Sequence, residues 1–136
     1  MTAAEDARQT ISLPGAWVGI VDDDTSLRTA LARALRGNGI RAETFESAEE
    51  YLHRAVVGEP DCIVLDIHLA GMSGFELQDL LGSRGAAPPI VFITGHDDLF
   101  SQNARIQRAV GCLRKPFATS ALVELMRPYL RSAVLG

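Results

Sequence analysis

The residues in this sequence best suited to chemistry are carboxylates, one hydroxyl and one lysine, each at or just after the end of an apolar run. They are Asp22, Asp23, Asp24, Asp66, Thr94 and Lys115. Adjacent carboxylates repel one another unless a cation lies among them, and ligands that are all oxygen suit a hard cation such as Mg²⁺. A carboxylate beside Mg²⁺, an ammonium and a hydroxyl can attack phosphorus while the other groups neutralise the phosphoryl oxygens. The sequence therefore predicts phosphoryl transfer with Mg²⁺ as cofactor.

These residues come together if the apolar runs are strands of one parallel sheet. Such runs predict strands at 17–21, 40–45, 62–65, 90–93 and 110–113, and helical spacing predicts helices between them. Two of these helices are predicted to begin at capping boxes, formed by Ser47 with Glu50 and by Ser73 with Glu76, and Pro128 is expected to bend the end of the last helix. The second run is more polar, which indicates an edge strand. This alternation is typical of an α/β fold whose strands all end at one edge of the sheet, where ligands bind. Lys115, the single lysine beside twelve arginines, follows the fifth strand at this edge.

Length and composition fit one domain, which we predict over residues 16–133 after a flexible extension at 1–15. The net charge of −4 and the lack of a basic cluster argue against direct binding of nucleic acid. The apolar runs are far shorter than the roughly 20 residues of a membrane helix. The N-terminus has no apolar signal segment, so we predict a cytoplasmic protein without membrane contacts. Cys62 and Cys112 lack metal or redox spacing and are predicted to be reduced.

Four short motifs, in this order and at this spacing, resemble the receiver domain of two-component response regulators. They are Val21-Asp22-Asp23-Asp24, Ile63-Val64-Leu65-Asp66 followed by Met72-Ser73-Gly74, Val91-Phe92-Ile93-Thr94-Gly95, and Lys115-Pro116-Phe117. The resemblance covers about residues 16–133. It implies a flavodoxin-like, doubly wound sheet of five parallel strands in the order 2-1-3-4-5. It also implies signalling rather than turnover of a substrate, with a histidine kinase or a phosphotransfer protein as the phosphoryl donor.

The resemblance assigns a role to each matching residue. Asp66 resembles the phosphoacceptor, and Thr94 and Lys115 resemble the hydroxyl and the ammonium that contact the phosphate. Asp22 and Asp23, with Asp66 and the backbone carbonyl of His68, resemble the Mg²⁺ ligands. The Lys115–Pro116 peptide bond is expected to be cis. Asp24 is instead predicted to cap the following helix.

The sequence departs from the family at the position three residues before the lysine, where the family usually has an aromatic and this chain has Cys112. The readout of phosphorylation is therefore expected to differ. His68 and His96, each two residues beyond a site residue, are either modulators of phosphate lifetime or ordinary surface histidines. The predicted helix at 97–109 is weakly amphipathic. We expect the surface of the fourth helix, fifth strand and fifth helix to switch and to contact a protein target or a second copy.

Two other functions remain open at this stage. A phosphate-independent interaction module of the same fold would explain Cys112. A Mg²⁺-dependent phosphohydrolase with an aspartyl-phosphate intermediate would need a further acidic pair after the lysine, where this chain has only Glu124. The sequence leaves open the kinase, the target, and whether the receiver acts alone or within a longer regulator.

Overall fold

The structure is a computed structural model that describes residues 17–54, 59–85, 87–95 and 103–131. Strands and helices alternate: β1 Val18–Val21, α1 Thr25–Gly37, β2 Ala42–Phe45, α2 Ala48–His53, β3 Cys62–Asp66, α3 Gly74–Ser83, β4 Ile90–Thr94, α4 Ala104–Gln107, β5 Gly111–Arg114 and α5 Thr119–Met126. The predicted extension at 1–15 lies outside these ranges. No helix within them is long and apolar enough to cross a membrane.

The five strands form one parallel sheet in the order β2-β1-β3-β4-β5, which confirms the predicted fold and the edge position of β2. The register pairs Val21 of β1 with Leu65 of β3, so these two strands end side by side. All residues of β1, β3 and β4 are buried, because helices cover both faces of the sheet. This burial on both faces explains the continuous apolar runs in the sequences of these three strands.

Alternate residues of each strand contribute to two separate cores. The core beneath α1 and α5 includes Val18, Ile20, Leu35, Val64 and Met126. The core on the opposite face, beneath α2 and α3, includes Val21, Phe45, Ile63, Leu77 and Phe92. Because side chains alternate along a strand, the sheet is held in register by apolar packing on both sides.

Two helices begin at predicted capping boxes, of which one is complete. At α3, Ser73 accepts from the Glu76 N–H and Glu76 accepts from the Ser73 N–H. At α2, Ser47 accepts from the Glu50 N–H at 3.0 Å. The Glu50 carboxylate, however, accepts from the N–H of Glu46 at 2.6 Å, so the prediction of a reciprocal box at Ser47 was wrong in that half. Glu50 still satisfies a backbone donor at the start of the helix.

The described part of the fourth helix is short. Within the described residues α4 has one turn, Ala104–Gln107, and Ile106 is its buried side chain. Residues 96–102, which were predicted to belong partly to this helix, lie outside the described ranges. The last helix gives way after Met126 to a 3-10 turn at Arg127–Tyr129, in agreement with the bend expected from Pro128.

Helix α3 starts in direct contact with the end of β3. The Gly74 N–H donates to the Ile67 carbonyl at 3.0 Å. A Cβ at Gly74 would overlap the carbonyl oxygen of Asp66 and lie 3.0 Å from the Ile67 Cα. Glycine is therefore required here by close approach of two backbones rather than by its own dihedral angles. Gly82, in the same helix, has no atom within 4 Å of its Cβ position.

Replacing these two glycines by alanine should have opposite effects on stability. We expect Gly74→Ala to lower the free energy of unfolding by about 1–3 kcal/mol, because backbone must move to admit the methyl group. Gly82→Ala should raise it by about 0.5–1 kcal/mol, because alanine loses less backbone entropy in a helix. Urea unfolding followed by circular dichroism measures both. Equal stability of the two variants would contradict the close contact at Gly74.

Candidate functional site

The predicted site residues lie together at the carboxyl edge of the sheet. Asp22 directly follows β1, Asp66 ends β3, Thr94 ends β4, and Lys115 directly follows β5. The strand order places β3 between β1 and β4, so residues far apart in the sequence become neighbours.

Three carboxylates share a small volume at this edge. One oxygen each from Asp22, Asp23 and Asp66 lies within 4.8 Å of the others. Asp22 is fully buried and Asp66 nearly so, whereas Asp23 is exposed. The site is thus closed toward the sheet and open toward solvent.

The Lys115 ammonium joins the two buried carboxylates. Its Nζ lies 2.9 Å from Asp22 Oδ2 and 3.0 Å from Asp66 Oδ2. Three carboxylates face one ammonium, so negative charge remains in excess. Lys115 reduces the repulsion between Asp22 and Asp66 without removing it.

The environment shifts the pKa values of both partners upward. Burial raises the pKa of Asp66, and hydrogen bonds from Lys115 and from the His68 N–H offset part of that rise. For Lys115, burial lowers the pKa, but the hydrogen bonds to Asp22 and Asp66 outweigh it and the pKa is raised. Lys115 is therefore a stable cation. Asp66 is a carboxylate whose charge depends on nearby cations.

Asp22 is held by contacts that the sequence pattern did not reveal. Its Oδ1 accepts from the Asp24 N–H at 2.8 Å, and Arg28 donates to its carbonyl oxygen at 2.7 Å. Arg28 is buried on the same face of α1 as Leu31 and Leu35. An arginine in phase with buried leucines is the signal that could have identified it. Asp24 caps α1 through the Leu27 N–H, as predicted.

Thr94 and Lys115 are fixed to each other by the backbone. Thr94 is 1% exposed, and its carbonyl oxygen accepts from the Lys115 N–H at 2.7 Å. The Lys115–Pro116 bond is cis, as expected. The pairing of Thr94 with Arg114 in the β4–β5 ladder sets this arrangement.

The backbone of the segment after Asp66 contacts three acidic side chains. The His68 N–H donates to Asp66 Oδ1 at 2.9 Å. The Ala70 N–H donates to Asp23 Oδ2 at 3.4 Å. The Met72 N–H donates to Glu49 of α2 at 2.8 Å. Glu49 was not identified from the sequence, because nothing local relates α2 to this segment.

Of the three residues predicted to modulate the site, the structure describes His68 and Cys112. The His68 side chain is exposed, and His96 lies outside the described residues. Cys112 lies within β5 opposite Phe92 of β4 and packs partly buried against the core beneath α2 and α3. Burial raises the pKa of its thiol to about 11, so Cys112 is a neutral, small apolar group at neutral pH.

The carboxylate oxygens at this edge of the sheet are ligands that suit a hard cation. The buried Asp22 Oδ2 has the Lys115 ammonium, 2.9 Å away, as its charged partner. The three clustered ligand atoms are all carboxylate oxygens. This donor set suits Mg²⁺ better than a soft or transition metal.

Comparisons with known proteins agree with this geometry. A family model described as the response regulator receiver domain matches residues 18–127. The regulator NtrC of Klebsiella pneumoniae is 39% identical over 112 residues, which is 82% of this chain and 24% of NtrC. FixJ of Azorhizobium caulinodans is 36% identical over 127 residues, or 92% of this chain and 59% of FixJ. The crystal structure of FixJ-N has a TM-score of 0.74 at 32% identity, covering 86% of this chain and 94% of FixJ-N. The chain thus spans well under two thirds of these two curated relatives.

Removing the ammonium should couple stability to the cation. In Lys115→Met we expect the free energy of unfolding without Mg²⁺ to fall by about 1–3 kcal/mol, because buried acceptors lose their charged donor. Millimolar Mg²⁺ should raise the free energy of unfolding of this variant more than that of the wild type. In the variant, the cation no longer competes with the Lys115 ammonium for the carboxylates. Urea unfolding in EDTA and in Mg²⁺ measures both effects.

Arg127→Met is the matched control, since Arg127 is an exposed cation 3.9 Å from Glu124 and remote from the carboxylates. Its response to Mg²⁺ should equal that of the wild type. An equal response in Lys115→Met would contradict competition between the ammonium and a cation.

Proposed function

The chain belongs to the family of response regulator receiver domains, and on that premise we propose that Asp66 accepts a phosphoryl group in a Mg²⁺-dependent reaction. The donor is a histidine kinase or a histidine phosphotransfer protein. One observation carries the proposal: a nearly buried carboxylate stands beside two further carboxylates and the Lys115 ammonium at an edge open to solvent. Receiver domains are generally signalling modules rather than enzymes, so phosphorylation changes the state of the protein itself.

The chain's own residues account for most of the chemistry. A carboxylate oxygen of Asp66 forms the new bond to phosphorus, the bond from phosphorus to the donor breaks, and the leaving group keeps the electron pair. Lys115, already 3.0 Å from Asp66, pairs with a phosphoryl oxygen as the negative charge moves outward. The hydroxyl of Thr94 donates to another phosphoryl oxygen. Hydrolysis of the acyl phosphate, catalysed by the same residues, resets the site.

Asp22, Asp23 and Asp66 are the side chains that would hold Mg²⁺, with the His68 carbonyl as a further oxygen ligand. When bound, Mg²⁺ neutralises phosphoryl oxygens and orients the phosphoryl group for in-line attack. Asp23, the exposed member, would be the carboxylate ligand that solvent also reaches. Arg28 donates to the Asp22 carbonyl oxygen, and the Asp24 N–H donates to Asp22 Oδ1. These two contacts keep the Asp22 carboxylate directed toward the cluster.

The output surface of this receiver is formed by α4, β5 and α5. This side of the sheet is the least buried, since three of the four β5 residues are half-buried and the fourth is exposed. Movement of Thr94 toward a phosphate acts on Lys115 and β5 through their backbone contact. Cys112 has no ring to reorient, so the output is carried by displacement of β5 and of the α4 turn at Ala104–Gln107. A downstream protein or a second copy of the chain binds there.

Phosphorylation is tested directly by intact mass. After incubation with acetyl phosphate and Mg²⁺, the wild type should gain the mass of one phosphoryl group, labile to hydroxylamine. Asp66→Asn should gain none, because an amide is not a nucleophile at neutral pH. Asp24→Asn is the matched control, since asparagine also caps a helix and the residue lies at the same edge.

The result that overturns the assignment is equally direct. A wild-type chain that binds Mg²⁺ without gaining mass would favour the phosphate-independent module. A gain that persists in Asp66→Asn would place the phosphoryl group on another residue.

We further propose that the imidazoles of His68 and His96 tune the lifetime of the aspartyl phosphate, because His68 is exposed two residues beyond Asp66. Replacing both by alanine should change the half-life several-fold, by altering access or orientation of the attacking water. The hydroxylamine-labile mass is followed with time after acetyl phosphate is removed. An unchanged half-life would leave both as surface histidines.

A further inference from the structure

We propose that Glu49 is a positioning residue for the Mg²⁺ and phosphoryl site, acting through the segment 67–73 that joins β3 to α3. This segment is called the β3–α3 loop below. The inference rests on the proposed function, because the reaction that Glu49 supports is phosphorylation of Asp66. Glu49 lies in α2 and is not itself a ligand or a catalytic residue.

Glu49 binds the middle of the loop from outside it. Its Oε2 accepts from the Met72 N–H at 2.8 Å. The preceding residue, Gly71, has a φ of +75°, and a Cβ there would lie 2.7 Å from the same oxygen. Glycine at 71 thus serves both a left-handed turn and close approach of the carboxylate.

The two ends of the loop are fixed independently of Glu49. At the start, the His68 N–H donates to Asp66. At the end, the Gly74 N–H donates to Ile67, and the capping box at Ser73 begins α3. Residues 70–72, between these anchors, belong to no helix or strand. Their position therefore depends on hydrogen bonds to side chains of other elements.

The middle of the loop touches the proposed cation site. The Ala70 N–H lies 3.4 Å from Oδ2 of Asp23. The carbonyl of His68, the fourth proposed oxygen ligand, belongs to the same loop. A shift of residues 70–72 therefore changes the backbone donor that contacts the proposed ligand Asp23, and it begins two residues after His68. Outer-shell contacts of this kind orient metal ligands.

Glu49 keeps its charge at neutral pH. The hydrogen bond from the Met72 N–H, followed by that from its own N–H, lowers the pKa of the Glu49 carboxyl. A carboxylate is the stronger acceptor for a backbone N–H.

Glu50 provides a control on the same turn of α2. Its carboxylate accepts from the Glu46 N–H at the start of the helix, and it has no hydrogen bond to the β3–α3 loop among the described contacts. A glutamate that serves only the helix is thus adjacent to one that serves the loop. Comparing variants of Glu49 and Glu50 therefore distinguishes an effect on the stability of α2 from an effect on the position of the β3–α3 loop.

The experiment compares Glu49→Ala, Glu49→Gln and Glu50→Ala with the wild type. Isothermal titration measures Mg²⁺ affinity without phosphorylation, and acetyl phosphate labelling is followed over a range of Mg²⁺ concentrations. We expect Glu49→Ala to bind Mg²⁺ about tenfold more weakly, at the lower end of the effect of losing an outer-shell partner. Its labelling rate should return to that of the wild type at saturating Mg²⁺. Glu49→Gln should restore most of the affinity, because its amide oxygen still accepts from Met72.

The outcomes distinguish the two proposals. Glu50→Ala should lower the melting temperature and leave Mg²⁺ affinity unchanged. Wild-type affinity in Glu49→Ala, or the same loss in Glu50→Ala, would overturn the positioning role alone. A wild-type chain that binds no Mg²⁺ would overturn both this role and the proposed function.

Discussion

Burying two carboxylates side by side is costly, and the rest of the site is arranged around that cost. Asp22 and Asp66 are almost completely removed from water, and a lone buried charge of this kind shifts its pKa or requires a partner. Lys115 is that partner, at 2.9 and 3.0 Å. The compensation is incomplete because Asp23 adds a third negative charge. A cluster short of positive charge favours a cation, which is the basis of the proposed Mg²⁺ site.

The sheet makes this arrangement possible by topology. Placing β3 between β1 and β4 brings the ends of non-consecutive strands together, and β5 supplies the lysine from the far side. Packing on both faces keeps these strand ends in register. Behind the carboxylates, Arg28 binds the Asp22 carbonyl and Gly74 lets α3 approach the backbone of Asp66. Asp66, the proposed nucleophile, thus ends a fully buried strand, a position that suits the orientation that in-line attack requires.

The two sides of the site differ in how firmly they are held. The β3–α3 loop is anchored at both ends and bound in the middle by Glu49. On the other side, β5 is partly exposed, α4 has one turn in the described residues, and Cys112 is smaller than the aromatic usual in the family. Elements with less buried apolar surface open and shift at lower free-energy cost. The proposed phosphorylation site therefore lies between a loop held by several hydrogen bonds and a less buried edge of the sheet.

Much of this protein could be predicted from its sequence. Continuous apolar runs located the buried strands, and their alternation with capped helices established a parallel sheet. Polar residues at the strand ends predicted Asp22, Asp66, Thr94 and Lys115 as a candidate site, and the structure brings them to one edge of the sheet. The cap at Asp24 and the box at Ser73 follow from local hydrogen bonding alone.

Contacts between distant segments depended on the tertiary structure. Three contacts join residues that come together only when the helices pack. They are the hydrogen bond from the Met72 N–H to Glu49, the approach of Gly74 to Asp66, and the hydrogen bond from Arg28 to the Asp22 carbonyl. The reciprocal half of the box at Ser47 failed because Glu50 found another backbone donor at Glu46. Local sequence determined which elements form and which residues stand at their ends. Packing decided how those ends are held, because a side chain's partner depends on distances that no spacing along the chain specifies.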